Sequence, residues 1–167
     1  MQLRRRHAAD LEQLEILARR VHTVDGYPIY LPDGDFRRFL MQPQSLNGWV
    51  ATHDDKIIGH VALNATTSKP VMDAVADLND DRPAVYVARL LVDPSSRRSG
   101  AGRTLLKLAL DEAVSNERLP VLDVVDTPTA APAIALYRAE GWAETARVRF
   151  DLGDLHLEEI VFVGPTA

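Results

Sequence analysis

The chain has 167 residues, close to the usual size of one domain and too short for two independent cores of ordinary size. Hydrophobic residues make up 46% of the sequence, which is typical of a globular protein and argues against a disordered one. The net charge of -5 argues against general nucleic-acid binding, because such binding needs a broad positive surface.

The sequence also excludes several kinds of chemistry and location. It contains no cysteine, so disulfides, thiolate zinc sites and a cysteine nucleophile are ruled out. No apolar stretch approaches the roughly 20 residues that a bilayer-spanning helix needs. The start, MQLRRRHAADLEQL, lacks the apolar core of a secretory signal, and we therefore expect a cytoplasmic protein.

The first half of the chain predicts a strand, two helices and a hairpin. In chain order these are a strand at 2–6, a helix after residue 10, a shorter helix at 36–41 and a hairpin at 48–65. Asp10 is the predicted N-cap of the first helix, and Gly26 and Pro28 end it. Its apolar residues share one face: Leu11, Leu14, Ala18 and Val21. The next segment, DGYPIYLPDGD, is rich in turn formers yet contains two tyrosines, which is unusual for a simple connector.

The second half predicts buried strands that alternate with helices. Residues 66–83 are polar and acidic, with one helical turn predicted near 71–78. The later elements are a strand at 84–94, a helix at 98–116, a strand at 118–126, a helix at 129–142 with Gly141 as its C-terminal stop, and strands at 143–150 and 155–163. The order β-α-α-β-β-β-α-β-α-β-β, without repeats or a linker, predicts one mixed α/β (α+β) domain over residues 1–167.

The segment RRSGAGRTLLKLAL, which begins at Arg97, places glycines and arginines at the start of a helix. The first N–H groups of a helix have no intrahelical partner and carry partial positive charge, which suits an anion. Gly100 and Gly102 let the backbone approach a phosphate, and Arg97, Arg98 and Arg103 add charge. The alternative is an ordinary helix start with exposed arginines.

Two known phosphate-binding patterns can be compared with this turn. The P-loop pattern, a glycine followed after four residues by Gly-Lys-Ser/Thr, is absent. The dinucleotide fingerprint is half present, because Gly-Ala-Gly occurs at 100–102 but Leu105 replaces the third small residue. An acidic residue follows at about the right distance, Asp123 or Asp126. A dinucleotide-binding domain therefore stays as an alternative.

Two stretches together resemble the GNAT superfamily of N-acetyltransferases. LLVDPSSRRSGAG places Arg97, Gly100 and Gly102 on the family pattern Arg/Gln-x-x-Gly-x-Gly/Ala, after a strand that ends in Val-Asp-Pro. ALYRAEGW matches Leu-Tyr-x-x-x-Gly-Phe/Trp and includes Tyr137. The resemblance implies a mixed, mostly antiparallel central sheet of about six to seven strands, flanked by about four helices.

The resemblance also implies acetyl-CoA as the cosubstrate and a role for each matching residue. The backbone amides that would hold its pyrophosphate belong to Arg98, Ser99, Gly100, Ala101, Gly102 and Arg103. Leu91 and Val92 would bond the pantetheine arm, where their strand splays from the strand at 121–125. The Val92 amide would also donate to the thioester oxygen. Tyr137 would be the general acid toward the departing thiolate.

This sequence departs from the family pattern at two places. Many relatives carry an asparagine seven residues before the tyrosine, where this chain has Ala130, and this implies the loss of one cofactor contact. Many also carry a glutamate as general base in the central strand, where this chain reads Tyr-Val-Ala-Arg at 86–89. The base is therefore left open between Asp123, Asp126 and a water chain.

The resemblance also implies that the acceptor lies between the first helix pair, the cofactor end of the central strand and the last hairpin. These regions supply Asp25, Tyr27, Tyr30 and Arg89 as candidate acceptor contacts. We expect a primary amine of a small molecule that attacks directly in a ternary complex. The alternatives are a peptide or protein amine, or a non-catalytic acyl-CoA-binding or regulatory module. A homodimer is a further hypothesis, and no metal is expected because the histidines lack ligand spacing.

Overall fold

A computed structural model describes residues 1–166, which form a mixed α/β structure. Within these residues the strands are β1 Gln2–Arg5, β2 Ser45–His53, β3 Lys56–Asn64, β4 Ala84–Val92, β5 Leu119–Val125, β6 Ala143–Leu152 and β7 Leu155–Val163. The α-helices are α1 Leu11–Asp25, α2 Phe36–Leu40, α3 Lys69–Ala76, α4 Ala101–Ser115 and α5 Ala131–Ala139. The strands follow the order β1-β2-β3-β4-β5-β7-β6 in one sheet, which confirms the predicted fold class.

The chain divides into two compact units, the first comprising residues 1–64 and 88–109 and the second residues 65–87 and 110 onward. In the first unit, β1, β2 and β3 pair in antiparallel fashion. One face of α1 is buried, and its members recur at helical spacing: Leu14, Leu17, Ala18 and Val21. They share a core with Val50 of β2 and Leu91 of β4. Packing of this apolar stripe therefore stabilises the first unit.

In the second unit, β5 lies between β4 and β7. Its first three residues pair in parallel with the first three of β4, and it pairs with β7 in antiparallel fashion. β7 in turn pairs with β6. Helix α3 contributes Val71 and Val75 to a core that contains Val121 and Val161. This unit therefore has its own buried core.

Several element boundaries differ from the sequence prediction, among them the start of β2 at Ser45 instead of residue 48 and the bounds of α3 and α4. The single turn predicted near 71–78 is the two-turn helix α3, whose first turn accommodates Pro70 because no N–H is needed there. Helix α4 begins at Ala101 instead of residue 98. The reason is backbone conformation, since Arg98 and Gly100 have φ of 68° and 86°, in the left-handed region.

The prediction of α5 was close to the observed helix. It runs from Ala131 to Ala139 after a 3-10 turn at Pro128–Ala130. Gly141, with φ of 80°, follows its end, as the sequence predicted for a helix stop. Among the helices of residues 1–166, none is long and apolar enough to cross a membrane.

Candidate active site

The segment after β4 is anchored by Asp93, whose side chain is buried. Its Oδ1 accepts hydrogen bonds from the Ser95 amide (2.9 Å) and hydroxyl (2.6 Å), and Oδ2 accepts from Arg20 of α1 (2.8 Å). Burial alone would raise the pKa of Asp93, but these bonds outweigh it and hold the pKa below its ordinary value. The Asp-Pro pair that the sequence analysis treated as a strand stop therefore also fixes the chain before the glycines.

Residues 97–103, here called the glycine turn, lead from this anchor into α4. Gly100 has φ of 86°, a conformation that L side chains rarely adopt. A Cβ placed on Gly100 would meet nothing within 4 Å, so the space beside it is open. Thr104 donates a hydrogen bond to the Gly100 carbonyl (3.0 Å). The amides of residues 101–103 lie in the first turn of α4, where the helix supplies no partner, whereas the Ser99 amide donates to the Ser96 carbonyl (3.3 Å).

The arginines of the glycine turn differ in their surroundings. Arg97 forms an ion pair with Asp25, at the end of α1. Asp25, a candidate acceptor contact, is therefore engaged with the turn. Arg98 is exposed and makes no hydrogen bond or ion pair with any other residue of 1–166. Arg103 is also exposed.

The remaining residues of the turn leave room for an anion. Ser99 is exposed, and its hydroxyl lies 3.4 Å from the Ala101 amide, a long hydrogen bond. Ala101 is buried and Gly102 is half-buried. The open space at Gly100, the N-terminus of a 15-residue helix and the exposed Arg98 together fit a phosphate group. A side chain at position 100 would occupy that space.

Leu91 and Val92 lie at the end of β4, on a well-supported strand. Leu91 is buried in the core of the first unit, and Val92 is half-buried. The next amide, that of Asp93, donates to the Ile58 carbonyl of β3 (2.8 Å). The backbone groups predicted to hold the pantetheine arm thus belong to a fixed element.

Two of the four candidate acceptor residues, Tyr30 and Arg89, line one cavity of about 300 Å³. We call this cavity the α2 pocket; it lies between residues 30–44, which include α2, and Arg89 of β4. Tyr27 instead packs edge-on against Phe39, with ring centroids 5.7 Å apart. Of the four predicted acceptor residues, two thus line the pocket, Tyr27 packs against Phe39, and Asp25 forms an ion pair with Arg97.

Arg89 is held by bonds to its backbone and its side chain. Its carbonyl accepts a hydrogen bond from Nδ1 of His60 (2.9 Å), which is fully buried. Burial lowers the pKa of His60 to about 4, and the charges of Arg6 and Arg89 act in the same direction. The imidazole is therefore neutral near pH 7, with its proton on Nδ1 because a carbonyl can only accept. Arg89 Nε donates to the Phe39 carbonyl (3.0 Å).

In the second unit, Tyr137 lies on α5 and is buried. Its ring packs against Phe162 of β7, with centroids 5.8 Å apart. Its carbonyl accepts a hydrogen bond from the Trp142 amide (3.0 Å), which closes the end of the helix. The Leu-Tyr-x-x-x-Gly-Trp motif therefore has a structural role in addition to any chemical role of the hydroxyl.

The two candidate bases have different surroundings. Asp126 forms an ion pair with Arg147 (2.9 Å), a guanidinium that also bonds Glu158 and Glu144. Asp123 lies within β5, half-buried, and the Thr67 hydroxyl lies 3.4 Å from its Oδ1. Within residues 1–166, no three acidic or histidine side chains form a group that could hold a metal ion.

The comparison with known families decides which of the two phosphate-binding interpretations applies. Residues 11–142, most of the chain, match the family described as "Acetyltransferase (GNAT) family". The chain belongs to the GNAT family. The resemblance seen in the glycine turn and around Tyr137 is thereby confirmed at the level of the family. No curated protein sequence matches the chain.

Solved structures show that this GNAT chain has the fold of known acetyltransferases. It is similar to the ribosomal-protein-S18-alanine N-acetyltransferase of Escherichia coli (TM-score 0.69, 19% identity, 99% of this chain and 94% of that one). It is also similar to Arabidopsis thaliana NAA60 in complex with acetyl-CoA (0.71, 21%, 97% and 96%). A third match is a suggested phosphinothricin N-acetyltransferase (0.68, 16%, 99% and 98%).

The sequence analysis of this GNAT chain missed a buried carboxyl group, that of Glu159 on β7. Its side chain is 9% exposed, and its Oε2 has no hydrogen-bond partner among residues 1–166. Burial, and secondly the charge of Asp123, raise the pKa of Glu159 to about 7. A signal was present, because Glu159 alternates in step with Leu157 and Val161 and so occupies an inward position of the strand.

Proposed function

We propose that this GNAT protein transfers the acetyl group of acetyl-CoA to a primary amine of a small molecule, in a ternary complex. The observation that carries the proposal is the glycine turn, where an open, left-handed Gly100 precedes the N-terminus of α4. The acetyl-CoA complex of NAA60, which shares the fold, supports the choice of cosubstrate. Residues 1–167 act as one domain in this proposal.

Acetyl-CoA, when bound, supplies a thioester that an amine can attack, with a thiolate as the leaving group. The amides of the glycine turn hold the pyrophosphate, and the exposed guanidinium of Arg98 adds a charge-assisted contact. The backbone of Leu91 and Val92 holds the pantetheine arm. The Val92 N–H stabilises the negative charge that develops on the thioester oxygen.

Two side chains of the second unit move protons in this proposal. Tyr137 gives its hydroxyl proton to the departing sulfur. Asp123 takes the proton of the amine. We favour Asp123 over Asp126 because Asp123 is half-buried within β5, whereas Asp126 is exposed beyond the end of that strand. No covalent enzyme intermediate is needed, which agrees with a chain that lacks cysteine.

The size of the α2 pocket favours a small acceptor. Its volume of about 300 Å³ lies at the lower end of the range for small-molecule sites. A peptide amine is the second candidate, because the S18-alanine N-acetyltransferase shares the fold. A panel of small amines and peptides, assayed by thiol release from acetyl-CoA, separates the two. The predicted cytoplasmic location and homodimer stay predictions.

Direct binding measurements test the cosubstrate. Acetyl-CoA and NAD are each titrated against the purified protein by calorimetry, and we expect acetyl-CoA alone to bind. In Gly100→Val, we expect affinity for acetyl-CoA to fall about tenfold to a hundredfold, the cost of losing one or two charged hydrogen bonds. If NAD binds and acetyl-CoA does not, the proposed function is wrong.

A matched control separates backbone strain from loss of the anion site. Gly153, between β6 and β7, also has a left-handed φ (60°) and open space around a Cβ. Gly153→Val therefore introduces similar backbone strain outside the glycine turn. We expect it to retain acetyl-CoA affinity, and an equal loss in both variants would assign the effect to strain alone.

A further inference from the structure

The α2 pocket carries more positive than negative charge. Its charged side chains are Asp35, Arg38 and Arg89. Asp35 accepts the Arg38 amide through Oδ1 (2.9 Å) and so caps α2. Among residues 1–166, no acidic side chain forms an ion pair with Arg38 or Arg89. The neighbouring Arg37, which does not line the pocket, is paired with Glu15 (2.9 Å).

The guanidinium of Arg89 is held in one orientation, but only some of its N–H donors form hydrogen bonds within residues 1–166. Its Nε donates to the Phe39 carbonyl, and its Cζ lies 4.0 Å from the centre of the Phe39 ring. These two contacts fix the plane of the group. Of the five N–H donors that a guanidinium carries, those on the two terminal nitrogens bond no other residue of 1–166. A planar donor pair is therefore available at the pocket wall.

The backbone at Arg89 gives a second reason to look for a ligand. Its φ of 55° is left-handed, a conformation that costs a non-glycine residue about 1–2 kcal/mol. Glycine would adopt it without that cost, yet the chain has arginine here. The buried His60 holds this conformation through its hydrogen bond to the Arg89 carbonyl. Strained residues that their surroundings hold in place are concentrated at ligand sites.

We propose that the α2 pocket binds a carboxylate of the amine acceptor, through the terminal nitrogens of Arg89 and the exposed guanidinium of Arg38. The acceptor is then an amino acid or a related molecule that carries both an amine and a carboxylate. A guanidinium matches a carboxylate with two parallel hydrogen bonds, which adds orientation to charge attraction. This inference deepens the proposed function and rests on it for the word acceptor.

The position of Arg89 also favours a short acceptor. Arg89 precedes Val92, the proposed oxyanion donor, by three residues, so the backbone between them spans at most about 10 Å of strand. The carboxylate would be held at the tip of the Arg89 side chain and the amine would lie near the Val92 amide, and this spacing favours a short chain between the two groups. Short amino acids such as 4-aminobutyrate and 6-aminohexanoate are therefore suitable test acceptors.

The experiment compares each of these two amino acids with its primary amide, at fixed ionic strength. Calorimetry measures binding without acetyl-CoA, and thiol release measures acetyl transfer with it. We expect the acid to exceed its amide by about tenfold to a hundredfold in affinity and in kcat/KM, the contribution of charged hydrogen bonds. Aminoethyl phosphate is included as a second anion, and we expect it to bind less well than the better acid.

Variants identify the pocket as the origin of the preference. Arg38→Gln removes an exposed side chain without a protein partner, so we expect the fold to be kept and the preference for acid over amide to fall about tenfold. Arg89→Lys keeps the charge but loses the planar fork, and we expect a similar loss. Arg37→Gln is the matched control, on the same helix but outside the pocket, and we expect it to keep the full preference.

The outcomes separate this inference from the proposed function. Equal binding of acid and amide, an unchanged preference in Arg38→Gln, or a clear preference for aminoethyl phosphate would overturn the carboxylate site. Amides acetylated as fast as acids would overturn it while the acetyltransferase function stands. Selective binding of the acids without thiol release from any tested amine would support the pocket and contradict the proposed function.

Discussion

The glycine turn of the first unit and the carboxyl-bearing face of the second unit are built in different ways. The turn consists of consecutive residues, and its proposed donors are backbone amides. The second region brings together side chains from separate elements, Asp123 on β5, Glu159 on β7 and Thr67 before α3. A site made of backbone can therefore be recognised from a short motif, whereas a site made of side chains depends on strand register.

The same contrast holds for the buried titratable groups of the two units. His60 in the first unit is fully buried but has the Arg89 carbonyl as a partner. Glu159 in the second unit is 9% exposed, and its Oε2 has no partner among residues 1–166. Burial disfavours the charged form of both groups, so it lowers the pKa of the histidine and raises that of the glutamate. The two units should therefore respond to pH in opposite directions.

The largest effect is expected for the second unit, in Tyr137→Phe. This change keeps the ring that packs against Phe162 and removes only the hydroxyl. Loss of a general acid should lower kcat about 10²–10⁴-fold, measured by thiol release with an accepted amine. Acetyl-CoA affinity should change much less than kcat. Unchanged kcat in an assay limited by chemistry would show that Tyr137 is only a core residue.

The next effect distinguishes the two carboxylates of the second unit. Asp123→Asn should lower kcat/KM by about 10²-fold and remove the ascending limb of its pH profile, because the proposed base is gone. Asp126→Asn is the matched control, and it should keep both the rate and the profile since it breaks only an exposed ion pair. If both variants behave like wild type, the amine loses its proton to water or before it binds.

For the first unit, His60→Asn tests the buried imidazole, since asparagine offers a donor near the position of Nδ1 and does not ionise. The folded-state pKa of about 4 lies below the ordinary 6.5, so between these values the unfolded state binds more protons. Wild-type stability from this group is complete above pH 6.5 and falls as the pH drops toward 4, by about 3 kcal/mol in all. Urea unfolding at pH 7 and pH 4.5 should show that the free energy of unfolding falls less in the variant than in wild type. Equal falls in the two proteins would show that a group other than His60 titrates.

For the second unit, Glu159→Gln should show the opposite sign with a somewhat smaller size. The folded-state pKa of about 7 lies above the ordinary 4.5, so the folded state binds more protons between them. The stability that depends on this proton is complete below pH 4.5 and is lost as the pH rises through 7. We expect the variant to be more stable than wild type at pH 8 by about 1–3 kcal/mol, with a smaller difference at pH 5. A gain that is equal at both pH values would contradict this prediction.

The two titrations partly cancel in the wild-type protein between pH 4.5 and 6.5. Its stability can therefore be nearly independent of pH in this range even though both groups titrate. Only the single variants separate the two contributions. Their comparison measures how much each unit depends on its buried group.

The sequence was most informative about features that consecutive residues determine. The amphipathic pattern of α1 and the Gly141 stop of α5 were predicted, because spacing and backbone conformation fix them locally. Asp10 does precede α1, but its carboxylate bonds Arg4 and the His7 amide instead of capping that helix. That choice depends on where β1 places Arg4, which local patterns do not contain.

The candidate site follows the same rule. The glycine turn was found because its residues are adjacent, and the family match supports that interpretation. The α2 pocket was predicted only in part, because the orientation of Arg89 depends on contacts with Phe39 and His60. Alternation within β7 marks Glu159 as inward-facing, but only the register of β5 and β7 brings it to one face with Asp123.

The ion pair between Arg97 and Asp25 means that the glycine turn already contains a competitor for its own ligand. An anion that recruits Arg97 must displace a carboxylate at the end of α1. Because linked equilibria are reciprocal, the anion loosens that tie by as much as the tie weakens the anion. A partly exposed pair contributes about 1 kcal/mol or less, which limits the effect to about fivefold. Anion binding at the glycine turn would therefore release the chain that leaves α1, because both depend on the Arg97 guanidinium.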